Sequence, residues 1–143
     1  MTLREEVKKL LAAEKARMEA DQQKTKQFHA QQKERMRPLA LALHEIVAAL
    51  PGDYVTLEEI GALYRICVLR DPARKFDEAM RFDFEPNWEP ITLETRSGWK
   101  VREIIFRKFP EYEVIDREHK LTSESEVCNF ILPRLVQEIA RWV

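Results

Sequence analysis

Residues 3–36 read LREEVKKLLAAEKARMEADQQKTKQFHAQQKERM. No glycine or proline interrupts them, because the first proline is Pro38 and the glycines are Gly52, Gly61 and Gly98. The stretch is built almost wholly from Lys, Glu, Arg, Gln, Ala, Leu and Met, which are good helix formers. At 1.5 Å per residue it predicts a helical arm about 50 Å long, well beyond the width of so small a body. The 143 residues therefore divide into an arm of residues 1–37 and a compact domain of residues 38–143.

A heptad frame runs along the arm through Val7, Leu11, Met18, Thr25 and Phe28 and on through Leu39, Ala42 and Ile46. Its steps alternate between four and three residues, as a coiled-coil seam requires. Glu14, Asp21, Gln32 and Arg35 occupy the same frame, so the middle of the seam is poor in apolar knobs. Leu3, Val7, Leu10, Leu11, Met18, Phe28 and Met36 are the expected interface residues, and pairing into a homodimer is the expected outcome.

Charge is distributed unevenly. Residues 1–37 hold ten Lys or Arg against six Asp or Glu, whereas the remainder holds 14 against 19. A basic arm on an acidic body either seeks an anionic partner or lies against an acidic surface of its own kind. Acidic residues interspersed along the arm, such as Glu5 beside Lys9, dilute its field and favour a solvated, internally paired helix face over either.

Beyond Pro38, which either kinks one helix or opens a second that ends near Leu50, Pro51, Gly52 and Asp53 stop the helical pattern. Thr56 to Glu59 fits a capping box, but Tyr54–Leu57 and Leu63–Leu69 are rich in β-branched and aromatic residues with Gly61 between them, which favours two strands. Met80, Phe82 and Phe84 alternate with Arg81, Asp83 and Glu85, the period of a half-buried strand. Ile91, Leu93 and Thr95 alternate up to Ser97 and Gly98, and Trp99, Val101, Glu103 and Ile105 follow, which reads as a hairpin. A helix over 101–109 also satisfies the spacing. Tyr112, Val114 and Asp116 suggest one more short strand. Ser123 and Glu126 cap a final amphipathic stripe of Val127, Phe130, Ile131, Leu135 and Ile139, with Pro133 inside it. The expected fold is α+β: a long N-terminal helical arm, an antiparallel sheet of four to five strands, and a C-terminal amphipathic helix packed on the sheet.

Chemistry-bearing clusters are sparse. His29, His44 and His119 are not spaced as metal ligands, and Cys67 and Cys128 read as buried thiols rather than a disulfide framework. Asp83 and Glu94, with Glu118 and Lys120, form the only nuclease-like set, and that tripeptide arises readily by chance in a chain so rich in Glu and Lys. Three isolated glycines cannot make a phosphate loop. No catalytic residue, cofactor or metal is expected. Lys100, Arg102, Arg107 and Lys108 beside Trp99 and Phe106 could meet a phosphate backbone, a nucleic-acid reading that the acidic body weakens. Trp88, flanked by Pro86 and Pro90, is the natural anchor for a protein partner, with Trp99, Lys100 and Arg102 beside it. The start of the chain lacks the apolar core of a signal peptide, so a cytoplasmic protein is expected. The favoured function is a non-enzymatic protein-interaction module, such as a small phage or accessory inhibitor or a subunit of a larger complex.

Overall fold

The structure, a computed structural model, describes residues 2–61, 63–89 and 97–143. It opens with one helix, α1 (Leu3–Ala49), of 47 residues and hence about 70 Å. Thr2 caps it: the Glu5 amide donates to Thr2 Oγ1 at 3.3 Å and the Thr2 amide donates to the Glu5 carboxylate at 3.4 Å. That reciprocal pair satisfies two otherwise orphaned donors, and Glu5 and Glu6 suit the positive end of the helix dipole.

Pro38 does not begin a second helix; α1 passes through it. A proline inside a helix removes one hydrogen bond and costs about 3 kcal/mol. Packing offsets that loss here, because Met36, Leu39, Ala40 and Leu43 are buried on either side of it. Pro38 and Glu34 both face solvent, where water can take the carbonyl that Pro38 leaves without a donor.

Five strands follow: β1 (Val55–Ile60), β2 (Leu63–Leu69), β3 (Glu78–Pro86), β4 (Trp99–Arg107) and β5 (Glu113–Leu121). They pair in sequence order as an antiparallel meander. Thr56 to Glu59, where a helix cap was one reading, lies within β1, because pairing with β2 from Val55↔Val68 to Ile60↔Leu63 uses its backbone instead. Gly61 turns the chain with φ of 60°, a conformation that side chains with a Cβ seldom adopt. The expected alternation in β3 holds, with Met80, Phe82 and Phe84 buried and Arg81, Asp83 and Glu85 turned outward. Residues 101–109 are not a helix: most of them extend β4, whose neighbours are β3 and β5. The strand expected over residues 91–95, and Glu94 within it, lies outside the described residues. β5 is nine residues long rather than short.

The last element, α2 (Glu124–Ala140), begins at Ser123, whose hydroxyl accepts from the Glu126 amide at 3.2 Å. The Glu126 carboxylate turns back to the amide of Thr122, at 3.0 Å, rather than to that of Ser123. Val127, Ile131, Leu135 and Ile139 form its buried stripe despite Pro133. This stripe and the root of α1 cover one face of the sheet over Ile66, Val68, Phe82, Phe84 and Val101. The outer face carries charge. Across it Glu58, Arg65, Asp83, Arg102 and Glu118 stand in register, alternating in sign from strand to strand. Opposite charges across strands contribute roughly 0.2–1 kcal/mol per pair and keep this face hydrated.

The meander gives the body two ends. One gathers the C-termini of β1, β3 and β5 with the start of α2, and there α1 leaves the body. The opposite end gathers the β2–β3 and β4–β5 connections and the C-terminus of α2.

Candidate interaction surfaces

Thr2 to Gln31 have no buried or half-buried side chain. Leu3, Val7, Leu10, Leu11, Met18 and Phe28 are all exposed large apolar groups on this free part of the helix. The same frame, continued past residue 31, becomes the inner face of the root, with Leu39 buried and Ala42 and Ile46 half-buried. One stripe thus serves two surroundings. At the root the body covers it, and along the arm as far as Thr25 it faces water. Met36 belongs to the covered part: it is wholly buried in the chain's own core, so it is not available as the interface residue the sequence suggested.

Trp88 sits just past β3 and is 42% exposed. Its ring lies 5.6 Å from Phe28 on the helix, and the Arg35 guanidinium stacks 4.2 Å from the ring centre. Arg35 also donates to the backbone carbonyls of Asn87, at 3.2 Å, and Ser97, at 3.5 Å. Buried Asn87 donates from its side chain to the Glu89 carbonyl at 2.7 Å, and its backbone amide donates to the Gly98 carbonyl at 2.8 Å. Trp88 is therefore a buttress for the departing helix as well as a half-exposed aromatic. Gly98 is required by close approach, since a Cβ there would lie 1.9 Å from the Leu121 carbonyl oxygen.

Trp99, Lys100 and Arg102 are less available than their sequence context implies. Trp99 is 9% exposed and packs in the core, because the β3 register places it on the helix-covered face. Lys100 stands between Glu85 and Glu118, at 4.0 and 3.9 Å. Arg102 is paired with Asp116, whose carboxyl is held below the ordinary range by that hydrogen-bonded guanidinium. Asp83 receives Arg65 at 2.7 and 3.2 Å, which leaves the nuclease-like reading with a neutralised carboxylate. Among the described residues no group of three or more His, Cys, Asp or Glu converges as a metal ligand set.

A polar cluster around one buried carboxylate joins α2 to the sheet. Glu103, almost fully buried on β4, has Arg134 Nε at 3.2 Å and His119 Nε2 at 3.7 Å. Phe130 lies against both partners, 4.4 Å from the His119 ring and 4.1 Å from the Arg134 guanidinium. Glu103 is the one buried member and its two partners are half-exposed, so the contact offsets the burial of that carboxylate where helix meets sheet. Cys67 is buried on the outer side of β2, where burial first and the Glu78 carboxylate second push its thiol up to about 11. A thiol so reluctant to ionise is a poor nucleophile.

The sequence reading missed the end of the body opposite the arm. There a cleft of about 980 Å³ is lined by Arg70, Arg74, Lys75, Phe76, Lys108 and Tyr112 together with Phe106 and Arg81. Arg70 organises it, donating to Asp77 at 2.9 Å, to the Glu78 carbonyl at 2.7 Å and to the Phe106 carbonyl. The available signal was the recurrence of a cation directly before an aromatic, Lys75–Phe76 and Lys108–Phe109, in two proline-bearing connections.

Among the described residues no helix is long and apolar enough to cross a membrane. Comparison of the chain with protein-family models, with curated proteins and with solved structures finds no match.

Proposed function

We propose that this protein is a non-enzymatic assembly module that pairs through its N-terminal helix, with a second copy of the chain as the partner. One observation carries the reading: about 35 Å of helix, from Leu3 to Thr25, presents an apolar edge that no part of its own body covers, and only at Phe28 does Trp88 first meet it. Burying a leucine or valine side chain stabilises by about 1.5–3 kcal/mol, so Leu3, Val7, Leu10 and Leu11 alone offer a useful driving force for association.

Charge favours an antiparallel pair. Residues 1–21 hold five cations and five anions, whereas residues 22–31 hold Lys24 and Lys26 and no anion; beyond them Lys33 is paired with Glu59, Arg35 stacks on Trp88 and Arg37 is paired with Glu34. A parallel pair would set the basic segments side by side, while an antiparallel pair sets each against a neutral one. It also brings Leu10 and Leu11 of one chain toward Phe28 of the other and leaves the two bodies at opposite ends of the rod.

Light scattering on the intact chain and on the double variant L10E/L11E tests this. The intact chain is expected to be dimeric at tens of micromolar and the variant monomeric, with the same circular dichroism from the body. An intact chain that stays monomeric at 100 µM, or a variant that stays dimeric, overturns the reading.

A further inference from the structure

We infer that the cleft at the end of the body away from the arm binds single-stranded nucleic acid. Three observations lead there. The first is its electrostatics: five cations line the cleft, against Asp77 and Glu78. Asp77 is already engaged by Lys108 and Arg70, both at 2.9 Å, and Glu78 by Arg81. Arg74 and Lys75 have no acidic partner among the described residues, and neither does Arg107 in the adjoining depression of about 570 Å³. Glu138 lines that depression but is paired with Arg141 at 3.7 Å, and Glu113 stands opposite Arg107 across the strands, while Asp71, Glu111 and Glu113 do not line either hollow. A concentrated positive field on a body whose overall charge is negative marks a place for an anionic ligand.

The second observation is the aromatic display. Phe76 is fully exposed, and Phe109 and Tyr112 nearly so. Each side chain leaves a large apolar ring in water, and all three stand in the two connections that border the cleft. Rings beside cations match the two faces of a single strand, whose bases stack on aromatics while its phosphates meet Lys and Arg. An acidic peptide would use the charges but leave the rings idle.

The third is rigidity. Arg70 ties the β2–β3 connection to β4 and lies 5.5 Å from the Trp142 ring, so strand, connection and C-terminal helix form one frame under the exposed rings. Phe106, within the cleft, is itself covered by Arg81 at 5.6 Å. This site differs from the basic hairpin suggested by sequence: of that set only Arg107, Lys108 and Phe106 face it, whereas Trp99 is buried and Lys100 and Arg102 are paired.

Fluorescence anisotropy on the full chain tests the inference, using labelled twenty-nucleotide oligo-dT, oligo-U and a twenty-residue poly-Glu peptide. Either oligonucleotide is expected to bind at 50 mM salt. Neutralising about three phosphates gives a drop of roughly 20-fold between 50 and 200 mM salt. F76A and Y112A, each at an exposed position, are expected to weaken binding by about 5- to 150-fold by removing a stacking ring, while the fold is retained. Lys75→Gln is expected to weaken binding and flatten the salt dependence. The arm variant K24Q/K26Q is expected to bind as the parent does. Absence of oligonucleotide binding at 50 mM salt overturns the inference. So does binding that survives F76A and Y112A but fails in K24Q/K26Q, and so does poly-Glu binding of equal strength.

Discussion

Leu39 and Leu11 stand on one helix, in one heptad frame, and differ only in what surrounds them: Leu39 is 0% exposed and Leu11 is 65% exposed. Replacing each with alanine separates the packing of the root from any packing of the arm. At Leu39 the change opens a void against Met36, Leu43 and the sheet, and buried Leu→Ala changes cost about 2–5 kcal/mol. With a urea dependence of about 1–3 kcal/mol/M for a domain of this size, the unfolding midpoint should fall by roughly 1–3 M. At Leu11 no side chain of the body is lost, and alanine is a slightly better helix former, so the isolated chain should change by no more than about 0.5 kcal/mol. Urea unfolding followed by circular dichroism at sub-micromolar concentration, where any dimer is dissociated, makes the comparison. At high concentration the Leu11 variant should lose the extra stability that association gives the parent. If Leu11→Ala at low concentration shifts the midpoint as far as Leu39→Ala does, the arm folds back on its own body and the reasoning fails.

Other outcomes follow from the same contacts. Gly98→Ala should destabilise by at least about 1–3 kcal/mol, because the new methyl meets backbone of Leu121 and Thr122 that has no rotamer with which to yield; thermal unfolding reads it. Lys108 first, and Arg70 with it, hold the Asp77 carboxyl below its usual 3.8, so this group stabilises above that pH and its contribution is lost as pH falls through the lowered value; Asp77→Asn should flatten that acid limb. With its thiol at about 11, Cys67 should resist a disulfide reagent at pH 8 in the folded chain and react on unfolding. Its raised value adds stability in full below about pH 9, and that addition is lost as pH rises through 11. Cysteines introduced at Leu11 and Phe28 should cross-link in a mixture of the two single variants, as an antiparallel pair requires, and not within either variant alone.

Local patterns were readable and long-range ones were not. Met80, Phe82 and Phe84 announce a strand because period-two alternation is a property of neighbouring residues, and the Gly61 turn and the Ser123 cap are equally local. The course of α1 through Pro38 depends on burial of Met36 and Leu39 under a sheet that forms from residues far along the chain, so local propensity left one kinked helix and two separate helices both open. The same holds for Trp99. Its alternation with Val101 already favoured a ring turned into the core with Lys100 and Arg102 outside, and the register with Pro86 decides for that over an exposed aromatic. Ion pairing of Lys100 and Arg102 likewise requires strands that a linear reading cannot align. The basic and aromatic cleft draws on residues near 70–81 and 106–112, which no single window contains.

Hydrogen exchange along α1 at two protein concentrations is the most direct probe of whether the free stretch is covered by a second copy. Pairing predicts that amides of residues 7–31 slow markedly between 1 and 100 µM while those of β3 and β4 stay constant. Exchange in residues 7–31 that is the same at both concentrations, in a chain whose root is protected, would contradict it.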